Sequence, residues 1–191
     1  MAGVIKSLAC AAATLAAFAC ATPEPTPQGG FWQDLQALCG QSYAGRLASA
    51  DAADAAFASS PLVMLVRECS TDEVRIPFHV GDDRSRTWVI TRTEQGLRLK
   101  HDHRHEDGGE DRLSQYGGDT TSEGSATRQE FPADAFSRAL FVENGIPQSA
   151  ANVWALELAA GRLFAYELRR PNRHFRVEFD LTQPLASPPA R

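Results

Sequence analysis

Near the end of the chain, Phe175, Val177, Phe179 and Leu181 alternate with His174, Arg176, Glu178 and Asp180. A period of two is the spacing at which a β-strand turns side chains to one face. One apolar and one charged face therefore means a sheet with one buried side and one wet side. The same alternation opens at Gly96: Leu97, Leu99, His101, His103 and His105 share a face, while Arg98, Lys100 and Asp102 take the other. Three of the five histidines thus continue an apolar row.

Further strands fall on either side of these two. Gln41 to Leu47, Leu62 to Cys69, Val74 to Val80 and Arg86 to Thr93 are strand-like, separated by Ser70-Thr71-Asp72, Gly81-Asp82-Asp83 and Glu94-Gln95-Gly96. Pro77 marks an edge or a bulge. A polar loop is expected from His103 to about Gly124, then strands over Ser125–Phe131, Asn152–Leu158 and Leu163–Arg169. Phe31 to Gly40 reads as a short helix capped by Gly40. A second helix opens after its N-cap Asp134, with Phe136, Ala139 and Leu140 as its apolar stripe, and ends at Asn144-Gly145. Leu47 to Ser60 is Ala- and Asp-rich and fits a turn of helix or a loop. The pattern predicts an all-β domain with two short helices. Eight or nine antiparallel strands with hairpin-length links would form an up-and-down β-barrel, with a β-sandwich as the competing architecture.

The ends of the chain point to export. Residues 1–20 carry Lys6 and then an apolar run from Leu8 to Ala19, too short for a bilayer and right for a signal peptide. Cys20 follows a small residue and precedes a Pro-rich linker over 21–30, so it is a candidate lipidation site and membrane anchor; Ala17 stands where lipoproteins usually have Leu. The outcomes are a periplasmic or outer-membrane-anchored lipoprotein, or a secreted soluble form. Residues 31–184 form one domain and 185–191 a flexible tail. Export leaves Cys39 and Cys69 as an even pair in an oxidising compartment, where a disulfide is expected. A net charge of −5 gives no electrostatic case for nucleic acid, and a monomer is expected.

The stretches Leu38-Cys39-Gly40-Gln41-Ser42-Tyr43-Ala44-Gly45, Arg75-Ile76-Pro77-Phe78-His79-Val80-Gly81, Leu99 to Gly108 and Gln115-Tyr116-Gly117-Gly118-Asp119-Thr120 carry a resemblance. Through them, Phe31 to Leu181 resembles an uncharacterised family of bacterial exported proteins of lipoprotein type. That family has no established activity, so the resemblance implies export and no chemistry. The barrel is also similar in architecture to calycins such as lipocalins and nitrobindin, although the lipocalin Gly-x-Trp signature is missing at the first strand; architecture alone transfers no site residues.

Two sets of residues are candidates for function. His101 and His103, two apart on one face, suit Zn²⁺ or another divalent transition metal, with His105, His79, Asp119, Glu106 or Asp107 to complete the set. The alternative is a hydrated strand end whose Asp, Glu and Arg side chains form exposed ion pairs. Trp88, Trp154, Tyr166 and Phe175 are candidates to line a ligand pocket, or else to pack the core. No nucleophile elbow, phosphate loop or dinucleotide fingerprint occurs. The expected function is a non-enzymatic binding module for a small ligand or divalent metal. The alternatives are a metal-dependent hydrolase using His101 and His103 with a metal-activated water, and a structural or interaction protein with a filled core.

Overall fold

The computed structural model describes residues 25–186. The expected signal peptide, Cys20 and residues 187–191 lie outside them. The elements are α1 (Pro27–Gln36), β1 (Ser42–Leu47), α2 (Ala55–Ala58), β2 (Leu62–Leu65), β3 (Glu68–Cys69), β4 (Glu73–Val80), β5 (Asp83–Thr93) and β6 (Gly96–His103). There follow β7 (Tyr116–Asp119), β8 (Arg128–Pro132), α3 (Ala135–Glu143), β9 (Val153–Ala159), β10 (Leu163–Arg170) and β11 (Arg173–Leu185).

The strands pair antiparallel in the order β7-β6-β5-β4-β2-β1-β11-β10-β9-β8, with β3 also on β4. Because β1 pairs with β2 on one side and β11 on the other, the first and last strands meet within the wall. The arrangement is an up-and-down meander whose opening falls between β7 and β8. This nearly closed barrel bears out the all-β barrel and excludes the sandwich, with ten strands around the wall rather than eight or nine. Alternation decides the interior. Leu97, Leu99 and His101 of β6 and Phe175, Val177, Phe179 and Leu181 of β11 are buried as their spacing predicts.

Several expectations are corrected. The polar loop after His103 contains β7, which pairs with β6 from His101↔Tyr116 to Arg98↔Asp119. Pro77 is on an interior strand, between the register pairs Phe78↔Met64 and Arg75↔Glu68. There β2 breaks from β3, and Val66 instead bonds to Gly40 and Gln41. The register shift beside it, between Phe78 and Val80, places its extra residue on β5, where Arg84 and Ser85 stand against the single His79. Helix α1 starts at Pro27, inside the expected linker, because Thr26 Oγ1 accepts from Gly29 N and proline suits the first helical position. The tail begins later than expected, since Leu185 still pairs with Ser42. The buried residues of α3 are Ser137 and Phe141, not the expected stripe; Phe136 stays 53% exposed. The undecided Leu47–Ser60 segment contains α2, which makes a third helix.

Helix α1 buries Phe31, Trp32 and Leu35 against one end of the barrel. There Gln28 Nε2 donates to Thr120 Oγ1 at 3.0 Å and the Arg92 guanidinium lies over Trp32. Cys39 and Cys69 form the expected disulfide, tying the chain after α1 to β3. Closing a loop of about 30 residues contributes about 3 kcal/mol in the chain-entropy model. The bond places the protein in an oxidising, non-cytoplasmic compartment.

The opening between β7 and β8 is sealed by two glycines and the first turn of α3. Ser137 Oγ accepts from Gly117 N and donates to Gly117 O, which also accepts from Asp134 N. A Cβ on Gly118 would lie 1.8 Å from the Pro132 carbonyl oxygen, so β7 can approach β8 only without a side chain there. Gly118→Ala is therefore expected to lower stability by roughly 1–3 kcal/mol or more, as overpacking against rigid backbone does. Urea unfolding monitored by tryptophan fluorescence would measure it, and an unchanged midpoint would refute a tight seam.

Candidate functional site

At the end of the barrel opposite α1 the inward rows stop short of meeting. Here β6 ends in His101 and His103, β5 carries Arg86 and Trp88 in its first half, and β11 begins with Arg173 and Phe175. Each pair is two residues apart and shares a face. Across the sheet Ile76, Trp88, His101 and Tyr116 form one row, and Phe78, Arg86 and His103 the row above it. The short helix α2 lays Phe57 across this mouth, where it packs edge-on to Phe175 at 4.9 Å. The result is a cleft of about 160 Å³, bounded by these side chains together with Tyr166 and Leu168. A second groove shares His103, Tyr116, Leu168 and Arg173 and continues toward Phe141 and Ile146.

The walls are largely aromatic. Trp88 stacks between Phe78 and Tyr166, with ring centroids at 4.7 and 4.5 Å. His101 is 2% exposed and stacks on Tyr116 at 4.5 Å. Its Nδ1 lies 3.0 Å from the Tyr116 carbonyl oxygen, and its Nε2 lies 2.8 Å from the Tyr166 hydroxyl. A carbonyl can only accept, so Nδ1 carries the proton, and Nε2 accepts from Tyr166. Burial holds the imidazole neutral and pulls its pKa down to about 3. Burial also pushes the Tyr166 phenol well above its ordinary value, with Tyr116 adding to the effect. Next toward the solvent, His103 Nε2 lies 3.2 Å from the Tyr116 hydroxyl, and burial followed by the Arg86 charge lowers its pKa.

Charge enters the cleft through two guanidiniums. Arg173 is held from behind by Asp51 at 3.1 Å and by both oxygens of Asp54, itself only 1% exposed. Arg86 donates from Nη1 to Asp83 and lies over the Phe57 ring. Among the lining residues these two arginines are the only side chains with a full charge, because the acids stand behind them.

The structure separates the expected metal ligands. His101 and His103 share the inner face, with ring centroids 6.5 Å apart, but both His101 nitrogens already have hydrogen-bond partners. His105 lies beyond the end of β6, exposed, with Asp111 at 3.9 Å. His79 sits on β4 opposite Val63, and Asp119 forks onto Arg98 on the outer face. Glu106 and Asp107 are exposed in the loop. Among the described residues no three His, Cys, Asp or Glu side chains converge as a metal site. His101 and His103 take the inner face as expected, whereas His105 falls outside the row, and the ligands needed from other segments are not beside it.

Of the expected pocket residues, Trp88, Tyr166 and Phe175 line the cleft. Trp154 does not. It is buried below, packed against His101 at 5.1 Å. Phe57, Phe78, Tyr116, Arg86 and Arg173 were not singled out from the sequence. For the arginines the signal was present: each stands two residues before an aromatic assigned to the interior. Comparison with protein-family models, curated proteins and solved structures finds no match to this chain.

The buried imidazole gives the fold a pH signature. His101 stays neutral in the folded state to about pH 3 but takes a proton at about 6.5 when unfolded. The unfolded chain therefore binds more protons in that window. Its contribution is full above pH 6.5 and is lost as the pH falls, by an amount of the order of 5 kcal/mol across the whole window. Glu167, held down to about 2, adds its own loss only below its ordinary value of 4.5. Between pH 6.5 and 4.5 the slope thus belongs chiefly to the buried histidines. Denaturant unfolding across this range should show a steady fall for the wild type and a flatter line for His101→Gln; equal slopes would disprove the neutral buried imidazole.

Proposed function

We propose that this is an exported binding module that takes one small, ring-sized ligand at the barrel mouth. The observation that carries the reading is the cleft at the barrel mouth bounded by Trp88, Tyr166, Phe57 and Phe175. Cavities of this order, about 150 Å³, hold a benzene-sized molecule when their walls are apolar. Both faces of Trp88 are covered by Phe78 and Tyr166, so the walls offer chiefly ring edges and apolar surface to a ligand, and the His101–Tyr166 pair offers the phenolic oxygen as an acceptor. His101 has both nitrogens committed, so it acts as a fixed, neutral wall and holds the Tyr166 proton in place.

In purified protein, single-ring compounds, both neutral (benzyl alcohol) and charged (benzoate), should saturably change the tryptophan fluorescence, to which Trp88 at the cleft contributes. Leu168→Trp should fill the cleft and abolish the response while leaving the fold intact by circular dichroism. If neither compound gives a saturable response up to millimolar concentration, or if Leu168→Trp leaves the response unchanged, the binding reading fails.

The module acts as a monomer in the cell envelope. With Cys20 acylated, the stretch to Pro27 would reach at most about 25 Å, placing the α1 end toward the membrane and the mouth away from it. Mass spectrometry of the mature N-terminus is expected to show a diacylglyceryl-modified Cys20; an unmodified terminus would assign the soluble exported form.

A further inference from the structure

We infer that the cleft selects a single-ring aromatic carboxylate, with the Arg86 guanidinium as the anchor for its carboxyl group. This rests on the binding reading above and adds the chemical class of the ligand. Three observations support it.

The first is the sign of the charge. Every fully charged side chain lining the cleft is an arginine, while Asp51, Asp54 and Asp83 lie behind the guanidiniums. The two histidines add no positive charge at neutral pH, since burial keeps both from protonating readily. A cationic ligand would meet Arg86 and Arg173 with nothing opposing them inside the cleft.

The second is the geometry left on Arg86. Asp83 occupies Nη1, and among the described residues no acceptor is bonded to Nε or Nη2. That edge of a guanidinium presents two parallel N–H donors, which match the two oxygens of one carboxylate. Phe57 packs under the guanidinium plane and keeps its orientation. Arg173 differs: Asp51, Asp54 and the His174 carbonyl share its Nη1 donors and Asp54 also takes Nη2, so two carboxylates already meet its charge and it supports the wall of the cleft.

The third is the division of the space. The aromatic part of the cleft lies below, around Trp88, Tyr166 and Phe175, and Arg86 stands one row nearer the solvent, across from Phe78 and His103. A ring inserted between the aromatic walls would carry a substituent on its outer edge to the level of Arg86. A planar acid one ring wide fits this order of apolar floor and cationic rim.

The experiment compares benzoate with benzyl alcohol by calorimetry on the purified protein and on Arg86→Gln and Arg86→Lys. Benzoate is expected to bind the wild type at least about tenfold more tightly than the alcohol, the scale of one charge-assisted hydrogen bond. Arg86→Gln should remove this preference, so that benzoate binds no more tightly than benzyl alcohol does to the same variant; Arg86→Lys should restore part of the preference. Equal affinity of the wild type for both compounds would overturn the carboxylate inference and leave the binding reading standing. A preference that persists in Arg86→Gln would overturn Arg86 as the anchor. Binding of neither compound would overturn the binding reading, and this inference with it.

Discussion

A sheet of this size has two edges, and every backbone group along them must find a partner or face water. This protein resolves the problem by bringing β1 against β11, so that strands from the two ends of the domain join in the wall. Only β7 and β8 remain, and their meeting place is filled by the first turn of α3. Ser137 there takes the role a neighbouring strand would play, donating to and accepting from Gly117. Asp134 holds this turn in place. One oxygen caps Ser137 N at 2.8 Å and the other receives Lys100 Nζ at 2.5 Å. Lys100 is on the outer face of β6, next to His101 and three residues before His103. The closure of the barrel and the placement of the inner histidine row therefore depend on the same strand.

The outer wall carries an alternating set of charges across β8, β9, β10, β11 and β1. Glu167 receives Arg128 at 2.9 Å and both Arg169 and Arg176 at 3.2 Å; Arg176 also reaches Glu157 at 3.0 Å and Glu178 at 2.8 Å. Pairs at the margin of the lattice, such as Arg169–Glu130, face solvent and contribute little singly, whereas Glu167 and Arg176 at its centre are largely covered. As a lattice they tie five strands in one register, since a one-residue slip would move each charge to the apolar inner face. The same segments that pack Phe164, Tyr166, Val177 and Phe179 inward thus fix their own pairing from outside.

Where the period of two was long and uninterrupted, the sequence was sufficient. Strands β6, β9, β10 and β11 lie close to their expected places, and so do the buried faces of β6 and β11. The pattern was insufficient where it was too short or where a polar residue took an interior place. Strand β7 is four residues with two adjacent glycines, which look like loop until β6 and the α3 turn supply their partners. Helix α3 misled for the opposite reason: its interior position is taken by Ser137, chosen for hydrogen bonding to a sheet edge, while Phe136 packs outside under Lys100. Phe57 gave no signal at all within its Ala-rich segment, because its role depends on where α2 crosses the mouth.

The histidine row shows how far strand parity alone can carry a functional reading. Parity correctly put His101 and His103 on one inner face, and Asp102 on the other, where it is buried by Arg75 and Arg104. What parity cannot supply is the third and fourth ligand, because these come from strands whose register is unknown until the barrel closes. The neighbours that closure brings to His101 are the Tyr116 carbonyl and the Tyr166 hydroxyl, one of which fixes the proton on Nδ1 while the other occupies Nε2. An imidazole held this way has no lone pair left to bind a metal, and burial denies it a proton. It becomes a polar but uncharged part of an aromatic wall, and the positive charge of the mouth is left to Arg86 and Arg173. Each of the three rows at the mouth, His101–His103, Trp88–Arg86 and Phe175–Arg173, runs from buried ring to a more polar rim. That shared gradient of burial gives the cleft an apolar floor and a cationic rim.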